Sequence, residues 1–420
     1  MTARMRKVAG VLSDIEIWLV GSAIVLGSLE VRLAILASCA AGFYWLVRWA
    51  ACGRLTTRTR ADVAIAVMVL LIPVTLWVTP ILDVTLSGAL GLLLGVLLYY
   101  SIVNWAQRAD RLGVLLVGAA LMGAFLALGS PFYVAWNKSK AGFVPDSLYA
   151  HLNPITSDTV HPNVLAGALV LLAGIAFGPA LFSWRSLSLA RRVVFAGSGL
   201  VITPVLLLSL SRGALIGLGA ALALMVVLRW RFGWACVLGV GVVVLILAWQ
   251  RGPTRVLEMV MADARFSGID SRFDVWSRVV YAIRDFPFTG IGMGTFGEVI
   301  PTLYPLFISP WDRVPHAHNL LLQIAVDLGI PGLVAWLAIL LSVVASAWEV
   351  YREGRVRQDP WIAGLGAGLL GSQVALFSHG LLDAPVWGTR PAIVVWAIWG
   401  LAMASWNVYV RLPRLGSRRV

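Results

Sequence analysis

Apolar stretches of about twenty residues recur twelve times along this chain, each long enough to cross a hydrocarbon core ~30 Å thick. Lipid offers no water to the backbone, so a spanning segment must satisfy its own hydrogen bonds as a helix or join a closed barrel. Barrel strands would be short and alternating, whereas these runs are long and uninterrupted. The chain therefore reads as an all-α polytopic membrane protein with about twelve transmembrane helices. Its composition agrees: 13% of residues are charged, against about 25% in a soluble domain.

The spans fall at 11–29, 31–50, 62–78, 82–103, 112–129, 161–182, 193–208, 214–228, 234–249, 319–345, 361–377 and 391–410. Arg48 stands at the end of the second and Arg54, Arg58 and Arg60 follow it, Arg108 and Arg111 follow the fourth, and Arg185, Arg191 and Arg192 the sixth. Arg229 and Arg231 follow the eighth, and Arg352, Arg355 and Arg357 the tenth, while the tail carries Arg411, Arg414, Arg418 and Arg419. With the basic N-terminus in the cytoplasm, every one of these short basic segments alternates to the cytoplasmic side, as basic loops prefer. Segments 130–160, 209–213, 251–318 and 378–390 then face outward. The net charge of +13 thus orients the protein and gives no reason to expect nucleic acid. Asp14 and Glu16 interrupt the first apolar run and no small-residue cleavage site follows it clearly, so it reads as a retained span. Cys39, Cys52 and Cys236 lie in or beside spans and outline no disulfide framework. Three parts are expected: helices one to nine over 1–250, a soluble helical cap over 251–318, and helices ten to twelve over 319–420.

Residues able to carry chemistry gather on the outward segments. Arg212 stands in Ser211-Arg212-Gly213 between two apolar runs. A charge at the membrane edge needs protein, water or an anion beside it. It is either a snorkelling turn residue or an anion-binding arginine whose fork suits phosphate, with Gly213 allowing a tight turn. In the long segment, Val275, Trp276, Val279, Val280 and Ile283 repeat with an amphipathic helical period. Ser271 is expected to cap that helix, with Asp274 three residues on. Arg272 then falls in the first turn, where a cation opposes the helix dipole but can share an anion with the helix N-terminus. Pro287 to Gly294 is a glycine-rich turn without the Gly-Lys-Ser/Thr of a P-loop. His316 and His318 close the segment. Two residues apart they cannot share a helical face, which argues against a paired helical metal site, while either could accept a proton from a hydroxyl. His161-Pro162-Asn163 opens the sixth span just after Asp158, with proline as a helix-start device.

Ser211-Arg212-Gly213, Arg272-x-x-x-Trp276, Pro287…Gly290-x-Gly292 and His316-x-His318-Asn319-x-x-Leu322-Gln323…Gly329-Ile330-x-Gly332-Leu333 resemble the O-antigen ligase/polymerase family over roughly 162–341. The resemblance implies a metal-independent, cofactor-free, inverting glycosyltransferase of GT-C type at the outer (periplasmic) face of a bacterial inner membrane. Its donor would be a glycan on undecaprenyl diphosphate. Its acceptor would be lipid A–core in a ligase, the favoured reading, another lipid-linked glycan in an O-antigen or exopolysaccharide polymerase, or a Ser/Thr hydroxyl in a protein O-oligosaccharyltransferase. Membrane lipids would be partners and nucleic acid would not. Carried over, Arg212 and Arg272 match the diphosphate-binding arginines, and His318, immediately before Asn319, matches the catalytic base, with His316 as the alternative. Asn163, Arg265, Asp383 and Arg390 are accessory candidates. A different class, an anion transporter, would call for ionisable residues near mid-span and often an internal repeat. The spans read as nearly free of mid-membrane charge, and the functional residues cluster on one face.

Overall fold

The computed structural model describes residues 3–27, 30–136, 154, 159–250, 252, 269–305, 314–384 and 386–413. Fourteen α-helices form within them: α1 (Ala3–Gly27), α2 (Val31–Cys52), α3 (Asp62–Val78), α4 (Leu82–Trp105), α5 (Ala109–Tyr133), α6 (Pro162–Ser183), α7 (Leu189–Ser209), α8 (Arg212–Arg229), α9 (Gly233–Gln250), α10 (Ile269–Asp285), α11 (Phe296–Leu303), α12 (Leu320–Val356), α13 (Pro360–Gly380) and α14 (Ala392–Trp406). Ten of them, α14 together with the π-helical turn Asn407–Arg411 that continues it, are long and apolar enough to cross a membrane, so this is a polytopic membrane protein. The two other expected spans are also helical: α3 has 17 residues, and α1 packs along α2. The described residues contain one isolated β-bridge, Val134 to Val160, and no named strand.

Small residues at every fourth position decide which helices meet most closely. Gly174 and Gly178 share one face of α6, and Gly364, Gly368 and Ser372 share one face of α13. A Cβ on Gly178 would stand 2.5 Å from the Gly364 carbonyl oxygen. Without those side chains the two backbones approach closely, the usual way helices associate in lipid. Ser372 Oγ donates to the Leu171 carbonyl at 2.7 Å across this seam. The pair lies deep in the bundle, flanked by α7, α8 and α12. Around α4 and α14, Trp396 lies against Gly95, and fully buried Trp399 donates its indole N–H to Gln373 at 2.9 Å.

The loops sort to two ends. At one end Arg60 pairs with Glu349 at 2.8 Å, Arg411 donates to the Arg58 carbonyl, and Tyr351 and Arg229 reach the Leu228 and Leu181 carbonyls. These residues border the short basic segments. At the other end the glycine-rich turn is threaded between α3, α4 and α12. Met293 N–H donates to Thr75, Thr85 donates to the Met293 carbonyl, and Ile291 N–H donates to the Val326 carbonyl at 2.8 Å. Gly329 interrupts α12 with φ 72°, a left-handed conformation open to glycine. Past the break, Ile330 N–H donates to the Pro287 carbonyl at 2.7 Å.

The described part of the long segment folds onto this end. Val275, Val279 and Ala282 of α10 share a small core with Ile291, Phe296, Ile300, Val314, Ala317 and Val326. Two details differ from expectation. Val280 is exposed, so the apolar stripe is narrower than its spacing suggests. The helix already runs through Ile269, so Ser271 stands inside the first turn rather than capping it. Arg251, Arg255, Arg265, Arg313 and Asp158 lie outside the described residues, as do Arg414, Arg418 and Arg419 of the tail.

Candidate active site

His316 and His318 occupy a loop, not a helix. Asn319 caps α12, its Oδ1 accepting from Leu321 and Leu322 N–H at 3.0 and 3.1 Å, so the helix begins two residues after His318. His318 adopts φ 49°, an uncommon conformation for a side-chain-bearing residue. Between the histidines, buried Ala317 is held at both backbone polar atoms. Its N–H donates to Gln323 Oε1 at 2.7 Å, and its carbonyl accepts from Trp276 Nε1 at 2.9 Å. Neither histidine is on a helix, and the loop instead brings the rings together: the two imidazoles lie 4.3 Å apart, centroid to centroid, and both face Asp383.

Asp383 follows the last turn of α13. Its N–H donates to the His379 carbonyl at 3.0 Å, and its Oδ1 accepts from Ala384 N–H at 2.9 Å. The same oxygen lies 3.3 Å from His318 Nδ1 and 3.7 Å from His316 Nε2. Oδ2 accepts from Asn163 Nδ2 at 3.1 Å. Asn163 is set by the start of α6, where His161 Nδ1 accepts the Asn163 backbone N–H at 3.2 Å. Burial would raise the Asp383 pKa. The His318 hydrogen bond and the charges of His316, His318 and His379 outweigh it and hold the carboxyl well below the usual carboxylate range. Burial lowers the His316 pKa to about 4, against the raising influence of Asp383 and with further lowering by His318, His161 and Arg272.

Hydrogen bonding separates the two histidines chemically. His316 Nδ1 accepts the His318 backbone N–H at 3.2 Å, so its ring proton belongs on Nε2, toward Asp383. That leaves His316 no ring lone pair uncommitted, while its Nε2 stands 3.7 Å from the carboxylate, beyond hydrogen-bond reach. His318 presents Nδ1 to the carboxylate, which places its proton there and leaves Nε2 as a basic nitrogen. This is the arrangement in which a carboxylate orients an imidazole base. The three side chains also offer His316, His318 and Asp383 ligand atoms within 4.8 Å of one another, a set chemically able to hold a metal ion.

The arginines differ in placement. Arg212 heads α8 and is exposed. Its neighbour Gly213 is helical, and the turn's left-handed residue is Leu210 at φ 51°. Glycine is needed at 213 for another reason: a Cβ there would meet the His379 ring at 2.5 Å. Arg212 therefore starts beside the α13 turn that carries Asp383. Arg272 is half-buried on α10 and close enough to His316 to depress its pKa. Arg390 instead lines a cavity of about 430 Å³ with Glu30, Trp336, Trp387, Trp396 and Trp399, and none of the His–His–Asp cluster lines it.

Four further residues, Gln323, Asp327, His379 and Trp387, were given no role in the sequence reading. Gln323 Nε2 donates to Asp327 Oδ1 at 3.0 Å, and Trp387 Nε1 donates to Asp327 Oδ2 at 2.9 Å. Together they link the turn after Asp383 to the Ala317 N–H. Asp327 is an acid inside the tenth apolar run, and an ionisable residue there is a functional signal to which the expectation of spans nearly free of mid-membrane charge gave no weight. His379 is buried against Gly213, and its Nε2 makes no hydrogen bond among the described residues.

Residues 197–337 match the family profile described as O-antigen ligase. That stretch holds Arg212, Arg272, His316 and His318, and leaves Asn163 and Asp383 outside it. No curated protein matches the chain.

Proposed function

Starting from the O-antigen ligase family domain this chain carries, a domain of lipid-linked glycan transferases, we propose that it moves a glycan from undecaprenyl diphosphate to an acceptor hydroxyl at the outer, periplasmic face of a bacterial inner membrane. Attachment of O-antigen to lipid A–core is the preferred reaction. The observation that carries this reading is the His318–Asp383–Asn163 chain, at the end of the bundle away from the short basic loops.

His318 Nε2 takes the proton of the acceptor hydroxyl as its oxygen attacks the anomeric carbon. The bond from that carbon to the diphosphate oxygen breaks, its electron pair leaves with undecaprenyl diphosphate, and the configuration inverts. Asp383 holds the imidazole in the productive tautomer and stabilises the imidazolium that forms. Asn163 keeps the carboxylate turned toward it. Arg212 and Arg272 meet the charge that grows on the leaving diphosphate. His316 is a neutral support rather than the base, because its one lone pair, on Nδ1, already accepts the His318 N–H.

The test is reconstitution with an undecaprenyl-diphosphate glycan and, separately, lipid A–core, a second lipid-linked glycan and a Ser/Thr peptide. Transfer to lipid A–core is expected, in excess chelator, and lost in His318→Ala. Transfer only to the second lipid-linked glycan makes the protein a polymerase instead. Full activity in His318→Ala refutes the base assignment.

A further inference from the structure

We propose that His316, His318 and Asp383 form a reversible binding site for a zinc-like divalent transition-metal ion, and that the bound ion inhibits the transfer. The inhibitory half rests on the reading of His318 as the base.

The geometry is favourable without rebuilding the loop. Zinc binds imidazole and carboxylate at about 2.0–2.2 Å in a tetrahedron, whose ligand atoms then stand roughly 3.4 Å apart. Here His318 Nδ1 and His316 Nε2 lie 3.3 and 3.7 Å from Asp383 Oδ1, and the whole set fits within 4.8 Å. Three protein ligands leave the fourth position open, as in sites that exchange their metal-bound water. Asn163 on the other carboxylate oxygen gives the outer support that fixes a ligating group. Two features keep the site weaker than a structural zinc centre. Arg272 adds a nearby positive charge, and an ion on His316 Nε2 pushes the ring proton onto Nδ1, breaking the hydrogen bond from His318 N–H.

The sign of the effect follows from the atoms involved. The ion takes His318 through Nδ1, the nitrogen that faces the carboxylate. Neutral His318 must then carry its proton on Nε2, where the acceptor's proton would have to go. The ion also consumes the Asp383 charge that stabilises the imidazolium. A metal in this cluster removes the base, which sets it apart from a metal cofactor.

The experiment uses full-length protein in chelator-washed nanodiscs titrated with Co²⁺, whose visible absorption reports tetrahedral N/O coordination without any turnover. One Co²⁺ per chain is expected, displaced by Zn²⁺, with the band lost in His316→Gln and Asp383→Asn. In the transfer assay, saturating Zn²⁺ should lower the wild-type initial rate at least about tenfold, and chelator should restore it. No band in the wild type, or a band unchanged in both variants, overturns the site. Displacement by Zn²⁺ in the wild type needs no variant and so does not depend on how the variants fold. A cobalt band with transfer unaffected overturns the inhibition and, separately, the placement of the base at His318.

Discussion

Asp383→Asn isolates what the carboxylate contributes, because the substitution keeps the side chain's shape. In the native site Oδ1 accepts from Ala384 N–H at 2.9 Å and faces His318 Nδ1 at 3.3 Å, and Oδ2 accepts from Asn163 at 3.1 Å. An amide has one oxygen for these two positions. With its oxygen toward His318, its NH₂ meets the Asn163 NH₂; reversed, its NH₂ meets Ala384 N–H and favours the unproductive tautomer of His318. The charge is lost either way. Two unit charges 3.3 Å apart attract by roughly 5 kcal/mol at an effective dielectric of about 20, which sets the upper limit. Deleting a charge-assisted hydrogen bond costs about 1.5–3 kcal/mol, which sets the lower. At ~1.4 kcal/mol per tenfold in rate, kcat should fall by a factor between roughly ten and several thousand. KM for the lipid-linked donor should stay nearly constant, since the carboxylate's partners are all protein groups. Initial rates of purified protein against donor concentration decide the matter. A kcat within about threefold of wild type, or a raised KM with kcat intact, refutes the role given to Asp383.

Arg272→Lys should recover little of the activity lost in Arg272→Ala, because a point charge does not replace a bidentate fork on a diphosphate; donor-dependent rates of the two variants test this. Gln323→Leu leaves the buried Ala317 N–H without its acceptor at about 1–3 kcal/mol, and should lower kcat with donor KM unchanged, as read from the same rate curves. His316 is harder to protonate folded than unfolded, with a pKa of about 4 against ~6.5 for free histidine. Its contribution to stability is therefore full above about pH 6.5 and declines as pH falls toward 4, by at most ~3 kcal/mol; thermal melting across that window should show a slope that His316→Gln flattens. Gly178→Ala should lower the melting temperature, because the new Cβ meets the Gly364 carbonyl oxygen at 2.5 Å and such overpacking costs typically 1–3 kcal/mol.

The helices were legible because lipid imposes one rule on every span, and a run of apolar residues expresses it locally. The sorting of the loops to two ends was legible from the arginines bordering the short loops. What joins the site was not. Asn163 and Asp383 stand 220 residues apart, and no local pattern in either segment refers to the other. The convergence of His316 and His318 depends on a left-handed turn at a residue that rarely adopts one, a geometry that helical spacing rules do not address. Gly213 was noticed for the wrong property: its value is the missing side chain facing His379, an inter-helix contact that a turn-based reading cannot supply. Asp327 was readable in principle, as a carboxylate within an apolar run with Gln323 one helical turn before it, but its other partner, Trp387, lies 60 residues on.

These residues share a mechanical dependence. Asn163 sits in the first turn of α6 and Asp383 just past the last turn of α13, so their 3.1 Å contact is set by how those two helices are positioned against each other. The α6–α13 seam is made of glycines and Ser372, which admits one close approach and leaves little slack, since interiors packed to this density transmit displacement instead of absorbing it. Gly178 lies 15 residues from Asn163, about 22 Å along the helix axis at ~1.5 Å per residue. A small tilt forced at the seam is magnified at the site end, where Asp383 must stay within hydrogen-bonding reach of both Asn163 and His318. In the proposed mechanism, buried glycines far from any substrate thus control whether His318 is correctly oriented, and the catalytic cost of Gly178→Ala should exceed what its loss of stability alone would produce.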